Sequence, residues 1–216
     1  RDTKVTGMAR TSEHIKDVLA RYMPHPKRFH QQWNKQTGAE ELYCWKPVPP
    51  SKRFVSLGVV CTTTPEDPPV ESIRCVPRAW VKPVTDEVTQ IWNDSGSGGR
   101  AGAIWRTNAE GMMAAAQRHT PPNETFYTLR TDEFFINPLD DQSAADIERE
   151  SKAKFELVTV VDPGFGFCTE FTKVWDSTKS GADTESSVWR PRLPEGAVFF
   201  GDLATTGHGP PVAGSE

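Results

Sequence analysis

The sequence predicts an all-β domain in which three antiparallel repeat units pack around a pseudo-threefold axis, in the manner of a β-prism. Three observations favour this class: one phrase occurs three times, the apolar runs are short and rich in strand-forming residues, and Gly or Pro separates the runs. A β-sandwich is the competing architecture. An N-terminal helix and a charged insertion complete the predicted layout.

The repeated phrase is a pair of tryptophans that flank a small turn. Each copy begins with Trp and a short polar residue, passes a Gly-containing turn, and ends with a second Trp followed by Lys or Arg. The two Trp residues lie 12, 13 and 14 residues apart in the three copies. A unit of this size cannot bury its apolar face alone, so we expect the copies to pack against one another. The copies run from Trp33-Asn34 to Trp45-Lys46, from Trp92-Asn93 to Trp105-Arg106, and from Trp175-Asp176 to Trp189-Arg190.

The spacing of the copies sets the predicted domain boundaries. The first Trp residues are 59 and then 83 residues apart, so an insertion at 137–154 displaces the third copy. We divide the chain into an N-terminal helical extension, residues 1–28, and a three-repeat β domain, residues 29–216. Because the chain begins at Arg1 and stops just past the third copy, we expect a piece of a longer protein. The three repeats span about 29–83, 84–136 and 155–211.

The local patterns predict one helix and many short strands. Apolar residues recur at helical spacing between an N-cap at Thr11 or Ser12 and Pro24, which ends the helix. From Phe29 onward the apolar runs are rich in Val, Ile, Phe, Trp and Thr, which is typical of strands. The predicted strands are Leu42–Trp45, Phe54–Thr62, Ser72–Val76, Glu87–Trp92, Ala103–Trp105, Thr125–Arg130, Phe155–Val161, Phe167–Trp175, Ser187–Trp189 and Ala197–Leu203.

The composition narrows the classes of partner. A net charge of -4 and a pI near 5.8 give no broad basic surface, so nucleic acid is not an expected partner. No apolar stretch approaches the ~20 residues that span a bilayer, so we predict no transmembrane segment. The cysteines lack the spacing of metal ligands and are predicted to be buried free thiols in a reducing compartment. They are Cys44, Cys61, Cys75 and Cys168.

Catalytic signatures are weak in this sequence. The Gly-rich stretch Asp94–Gly99 resembles a phosphate-binding loop, but it lacks the lysine of a P-loop and lies at a predicted hairpin tip. The five histidines are scattered without ligand spacing, and no Gly-x-Ser-x-Gly elbow occurs. We therefore predict a non-enzymatic protein without a metal or cofactor.

The first tryptophans and their polar neighbours are the candidate binding residues. A buried Trp removes up to about 250 Å² from water, so packing in a core is one role and contact with a partner is the other. A short polar side chain beside it can bond the following turn or accept a hydrogen bond from a docked peptide backbone. The six residues are Trp33, Trp92, Trp175, Asn34, Asn93 and Asp176.

Longer stretches around the copies resemble a known family. Leu42–Pro50, Val55–Pro69 and Ile73–Val76 resemble the vacuolar protein sorting-associated protein 62 family, and the match continues in short segments as far as Phe126. The last copy, from Ser187 to Pro211, is similar to the related repeats in the C-terminal half of vacuolar protein sorting-associated protein 13 from plants and protists.

The resemblance implies recognition rather than catalysis. In the larger lipid-transfer proteins it implies a module that places a lipid-conducting body at organelle contacts, through adaptor proteins or membrane surfaces. We therefore expect a cytoplasmic scaffold or targeting module, peripheral to organelle membranes, which recognises an adaptor protein segment or lipid headgroups. The alternative is a membrane- or glycan-binding β-prism domain of a pore-forming or defence protein, which exposed aromatic residues at one end would favour.

The second copy departs most from the common pattern. It has Arg106-Thr107 where the others have a basic residue followed by Pro. It also has Ala114–Ala116 where the others have Leu57-Gly58 or Phe200-Gly201. We therefore do not expect every position, or every site, to be repeated three times.

Overall fold

Short antiparallel strands make up the protein in its computed structural model, and the predicted all-β class is confirmed. The structure describes residues 20–98, 100–130, 168–193 and 197–211. The strands in this part of the chain are β1 (Arg28–Lys35), β2 (Leu42–Val48), β3 (Phe54–Val55), β4 (Val60–Thr62), β5 (Val76–Pro77), β6 (Val81–Pro83), β7 (Thr89–Asn93), β8 (Ala103–Arg106), β9 (Met113–Ala116), β10 (Tyr127–Leu129), β11 (Phe171–Asp176), β12 (Ser186–Pro191) and β13 (Leu203–Thr206).

Each pair of tryptophans lies on a hairpin that supplies two strands of a three-stranded sheet. The strand orders are β1-β2-β4, β7-β8-β9 and β11-β12-β13, and the strand of the second Trp is central in each. Every hairpin carries an irregularity in register just before the first Trp. Because a one-residue shift moves the following side chains to the opposite face, this bulge decides which face the first Trp occupies. The arrangement of the three sheets around a pseudo-threefold axis, like the domain boundaries, stays a prediction.

The hairpin tips need residues with positive φ, as the sequence predicts. Gly38, Gly96 and Gly181 have φ of 126°, 87° and 76° at the tips of the three hairpins. A β-carbon is strained in this region of backbone space, so glycine fits each tip better than any other residue.

The core is centred on the first tryptophan of each copy. Trp33, Trp92 and Trp175 are each 1% exposed. The ring centroid of Trp92 lies 5.8 Å from that of Trp33 and 5.7 Å from that of Trp175. Tilted and edge-on contacts of this kind suit the charge distribution of aromatic rings. Apolar residues from all three sheets, among them Ile104 and Val188, pack around the trio.

A smaller apolar cluster lies beneath two satellite sheets. Strands β3 and β5 pair with each other, as do β6 and β10. Their buried side chains include Val55, Val76, Val81 and Leu129. The chain between these strands contains two short 3-10 turns, at Val70–Ser72 and Arg78–Trp80.

Several predicted strands have different bounds in the structure. The predicted strand Phe54–Thr62 is two strands in different sheets, because Gly58 lies against Gly201 at the break between β3 and β4. The predicted strand Ser72–Val76 begins in a 3-10 turn and becomes extended strand only at Val76. In the third copy the last strand runs from Leu203 to Thr206 rather than ending at Leu203.

Other elements were missed, or lie where the structure gives no description. Strands β1, β6 and β9 are absent from the predicted set, and β9 consists mostly of alanines, which are weak strand formers without tertiary packing. Residues 20–22 are helical and the helix ends before Pro24, as predicted. The earlier part of that helix, the insertion at 137–154 and the strand Phe155–Val161 lie outside the described residues.

Strand register also corrects the alignment of the second copy. Trp45, Trp105 and Trp189 pair with Val60, Ala114 and Leu203 respectively. Gly58, Met112 and Gly201 lie two residues before these partners in the chain, so Met112 rather than the alanines takes the place of the glycines. These three residues meet: a β-carbon on Gly201 would lie 2.8 Å from the Cα of Gly58 and 3.2 Å from the Sδ of Met112.

The cysteines are free thiols, and three of the four are buried as predicted. Cys44 and Cys61 are opposite neighbours on β2 and β4, and the Cys61 thiol donates a 3.6 Å hydrogen bond to the Cys44 sulfur. This bond and burial raise the pKa of the Cys61 thiol, and burial raises the pKa of Cys75 to about 12. Cys168 is only half-buried, which corrects the prediction for that residue.

We expect Cys168 to be alkylated by iodoacetamide long before the other three thiols. The reactive species is the thiolate, which burial and a raised pKa both suppress. The buried thiols should therefore react only when the sheet opens. Mass-spectrometric measurement of alkylation at each site under native conditions checks this. The prediction is wrong if Cys44, Cys61 or Cys75 reacts as fast as Cys168.

Candidate binding surfaces

The first tryptophans point into the hairpins of neighbouring copies. Trp92 Nε1 donates a 2.9 Å hydrogen bond to the carbonyl oxygen of Thr184, in the third copy. Trp175 Nε1 donates a 3.1 Å bond to the carbonyl oxygen of Glu40, in the first copy. The Trp33 indole lies directly on Gly102 of the second copy, but its Nε1 has no acceptor among the described residues. These contacts support the packing role of the three indoles, which present almost no surface to a partner.

The hydrogen bonds of the three indoles predict different losses of stability for the three Trp→Phe substitutions. Each change removes a similar apolar volume, but W92F and W175F also break a buried hydrogen bond. A typical net contribution of such a bond is about 1 kcal/mol. We therefore expect W33F to destabilise the protein by about 1 kcal/mol less than either of the others. Urea unfolding followed by circular dichroism measures the difference, and equal losses in all three variants would contradict it.

Two of the three polar residues beside these tryptophans cap the following turn. Asn93 Oδ1 accepts a 2.9 Å hydrogen bond from the Ser95 amide, and Asp176 Oδ1 accepts a 3.0 Å bond from the Thr178 amide. Among the described residues, Asn34 shows no equivalent bond. The hydrogen bond from Lys173 Nζ to Asp176 Oδ2, 2.6 Å long, and the bond from Thr178 lower the pKa of Asp176 to about 2. The local capping role is thus supported for Asn93 and Asp176.

A lysine from the first copy reaches the Gly-rich hairpin of the second copy. Lys35 Nζ donates a 2.9 Å hydrogen bond to Ser97 Oγ and lies 5.8 Å from the ring centroid of Trp92. Burial lowers the pKa of Lys35, although the nearby Asp94 opposes this effect. The Asp183 amide of the third copy also donates to the Ser95 carbonyl at 2.8 Å. Neighbouring copies therefore pack against this hairpin, which agrees with its predicted position at a tip rather than with phosphate binding.

The basic residues that follow the second tryptophans have three different environments. Lys46 forms an ion pair with Glu124, and Arg106 is exposed. Arg190 lies 5.7 Å from the ring centroid of Phe199 and forms an ion pair with Asp202. The repeated basic position therefore has no repeated function.

The Arg190–Asp202 pair joins the third copy to the first. Arg190 donates from Nε to Asp202 Oδ1 at 2.9 Å and from Nη2 to Asp202 Oδ2 at 2.8 Å. The same Nη2 donates to the Cys61 carbonyl at 2.7 Å, and the Cys61 amide donates to Asp202 Oδ2 at 2.7 Å. Asp202 is fully buried, and burial raises its pKa despite the opposing effect of Arg190.

Sequence reasoning missed Asp202, although a signal was present. By strand register, Asp202 occupies the position of Val59 in the first copy and Met113 in the second. An acidic residue in an apolar run, at a position where both other copies are apolar, indicates a paired buried charge.

Two of the three junctions between the tryptophan-bearing sheets are closed by contacts between strands. Strand β1 contacts β9 at one junction, and β13 contacts β7 and β8 at another. The bulge residue Gln32 strengthens the first of these, because its Oε1 accepts from the Ala115 amide at 3.3 Å. At the third junction, β4 and β11 have no comparable contact, and a groove of about 480 Å³ lies there. We call it the β4–β11 groove. A smaller groove of about 160 Å³ lies beside the Lys46–Glu124 pair.

In the described part of the chain, no group of three His, Cys, Asp or Glu side chains is placed to hold a metal ion. No helix of that part has the length and apolar character needed to cross a membrane.

Comparison with known proteins gives a fold neighbour and a family. The crystal structure of GNIP1Aa from Chromobacterium piscinae matches with a TM-score of 0.61 at 14% identity, over 89% of this chain and 34% of that one. This chain therefore spans about a third of the length of GNIP1Aa, and the likeness shows a shared fold. No curated protein matches the sequence. The family model described as vacuolar protein sorting-associated protein 62 matches residues 3–120, which is 118 of 216 residues. The chain belongs to the vacuolar protein sorting-associated protein 62 family.

Proposed function

We propose that this chain is a non-catalytic recognition module of the vacuolar-protein-sorting type. It binds an adaptor protein segment or a membrane surface on the cytoplasmic side of organelle membranes. The observation that carries the proposal is the burial of all three first tryptophans. The repeated residues build a rigid core, so recognition falls to the features that differ between copies, which are the loops, the strand edges and the junctions.

The family supports the cellular setting of this proposal. Its description refers to vacuolar protein sorting. The resemblance of the last copy to repeats of the larger lipid-transfer proteins supports a role in placing such a protein at membrane contact sites. A module of this kind needs a stable body and an accessible recognition surface, but no reaction chemistry.

One close acid–base pair among the described residues, Asp94 and His119, supports a structural rather than a catalytic role for these two side chains. Asp94 and His119 approach to 2.6 Å, which is close enough for proton transfer. However, Asp94 Oδ1 also accepts the Gly102 amide at 2.9 Å and thereby holds the base of the second hairpin. Neither Asp94 nor His119 lines either groove. The pair therefore resembles a hairpin clamp more than a general acid and base.

Exposed apolar surface bears on the alternative of a pore-forming or defence protein. Such a domain would present aromatic residues at one end of the prism. In the described ranges, Leu193 is the exposed large apolar residue, at 41% exposure, and no aromatic residue joins it. This observation does not favour the alternative.

The test is to measure binding of the complete chain to liposomes and to cytosolic proteins in parallel. Liposomes of phosphatidylcholine, with and without phosphatidylserine or phosphatidylinositol phosphates, are sedimented with the protein, and affinity capture is followed by identification of the bound segment. The charge-reversal variants K52E/R53E and R192E change exposed loops. We expect at least one of them to weaken binding more than tenfold without changing the melting temperature. Equal loss of binding and stability, or no binding in either assay, would contradict the proposal.

A further inference from the structure

The β4–β11 groove has a charge opposite to that of the whole chain. Its lining includes Thr63, Thr64, Thr172, Lys173 and Arg190, with two cations and no acidic side chain among the described lining residues. The chain as a whole carries a net charge of -4. The acids that pair with the two cations lie behind them, since the side chain of Asp202 is 0% exposed and that of Asp176 is 15% exposed. The exposed Glu40 is close enough to act on Lys173 but does not line the groove, which presents hydroxyl groups and two cations to a ligand.

Donor groups remain available on both cations. The hydrogen bonds of Arg190 to described residues use Nε and Nη2, which leaves Nη1 for a ligand. Lys173 Nζ has three protons and donates to Asp176. An ionised carboxylate is the side-chain group that such donors bind best.

Of the two cations in the groove, Arg190 occupies the basic position common to all three copies, whereas Lys173 is specific to the third copy. Lys173 faces Trp189 in the sheet register, and the equivalent positions in the first and second copies are Gln31 and Gln90. Asp202, which holds Arg190 in place, likewise replaces an apolar residue of the other copies. The deviations from the repeat therefore coincide with the one junction, within the described part, that strand contacts leave open.

The walls of the groove also favour an extended chain over a compact ligand. Both β4 and β11 are edge strands of their sheets. On β4 the outward-facing amide and carbonyl of Cys61 are occupied by Asp202 and Arg190. Strand β11 has no partner strand on the groove side in the described structure, and Thr172, Lys173 and Val174 line the groove. An edge strand of this kind recognises a peptide through main-chain hydrogen bonds.

We propose that the β4–β11 groove binds an extended peptide segment that carries an acidic side chain. The peptide backbone pairs with the edge of β11, and its carboxylate contacts Lys173 and Arg190. This inference rests on the proposed function, since it names the site and the chemistry of the adaptor segment. A lipid headgroup could offer the same anionic oxygens, but it would not use the strand edge.

The experiment measures binding of a fluorescein-labelled peptide, Thr-Val-Glu-Val-Thr with blocked ends, by fluorescence anisotropy. The key variant is K173Q, because Gln is the residue that the other copies carry at this position and should preserve the fold. We expect K173Q and T172E each to weaken binding about tenfold. Replacing Glu by Gln in the peptide should have a similar effect, and methylation of alternate peptide amides should abolish binding.

The second copy supplies matched controls. Thr89 pairs with Arg106 in the second copy as Thr172 pairs with Arg190 in the third. The variants T89E and Q90K therefore change the positions equivalent to Thr172 and Lys173, but at a junction that strand contacts close. Both should bind the peptide as the unaltered chain does. Equal weakening by T89E, or no weakening by K173Q, would overturn the inference. A third result would also overturn the inference: the unaltered chain binds phosphatidylserine vesicles but not the peptide, and K173Q abolishes the binding to vesicles. If K173Q still captures the identified adaptor segment, the groove assignment fails while the proposed function stands.

Discussion

Gly102→Ala should destabilise the protein by more than about 3 kcal/mol, the upper part of the range for overpacked cores. A β-carbon at this position would lie 2.1 Å from Trp33 Cε2 and 2.2 Å from Trp33 Nε1. The indole cannot withdraw, because Trp33 packs against Trp92 at the centre of the core. The clash would therefore separate the first copy from the second. Urea unfolding followed by near-ultraviolet circular dichroism, which reports the packing of the Trp rings, measures the loss.

Gly98→Ala is the control for a glycine substitution in the same hairpin. Apart from its chain neighbours, no described residue has an atom within 4 Å of a β-carbon there, and the φ of Gly98 is 66°. The cost should be limited to backbone strain of about 1 kcal/mol. A second variant separates the effect of the clash from a general loss of folding. W33L in the G102A background makes room for the new β-carbon and should restore part of the stability that G102A loses. A G102A protein within 1 kcal/mol of the original, on the scale of an ordinary surface substitution, would contradict the predicted contact.

Arg190→Met should cost about 3 kcal/mol, because it leaves a fully buried carboxylate without its partner. The sign of the pH dependence follows from the pKa of Asp202, which burial already raises and which loss of Arg190 raises further. A carboxyl group with a raised pKa in the folded state favours the protonated form. The stability lost in R190M should therefore be greatest at neutral pH and should shrink as the pH falls through the pKa of Asp202. Urea unfolding at pH 7 and pH 4.5 measures this difference.

The double variant R190M/D202V tests whether the pair, rather than either residue, matters. Valine is the residue of the first copy at the position equivalent to Asp202, namely Val59, so the core can accommodate it. We expect the double variant to recover at least half of the stability that R190M loses, since replacing both ions by apolar groups removes the unpaired charge. Recovery should be incomplete, because the Cys61 amide loses its acceptor. A double variant less stable than R190M would contradict this account of the pair.

The recurrence of the tryptophan pairs was sufficient to predict the class of fold and the three hairpin turns, but not strands β1, β6 and β9. The spacing between Trp33 and Trp45 contained a Gly at the turn, and the structure places a hairpin there with Gly38 at positive φ. Such turns depend on local backbone sterics, which a few consecutive residues determine. The buried thiols of Cys44 and Cys61 were predictable for a similar reason, since both lie within apolar runs.

The candidate binding residues show where sequence patterns stop being informative. The sequence left two roles open for Trp33, Trp92 and Trp175, packing in a core and contact with a partner, and the structure buries all three. A tryptophan has the same identity in a core and at an interface, so composition alone did not separate the two roles. The bulge before each first Trp decides which face the indole takes, and the residues at the bulge, Gln32, Ile91 and Val174, differ between the three copies.

Residue patterns were enough to identify the local units: three hairpin turns, their tryptophans, their glycines and most of the strand-forming runs. These follow from steric preferences and from apolar periodicity, which act over a few residues. The way in which the units meet became clear only from the folded chain: Trp33 rests on Gly102, Asp202 pairs with Arg190 and bonds Cys61, and β4 and β11 leave a groove. These contacts join residues far apart in the chain, and their energies depend on burial and distance, which no local pattern encodes.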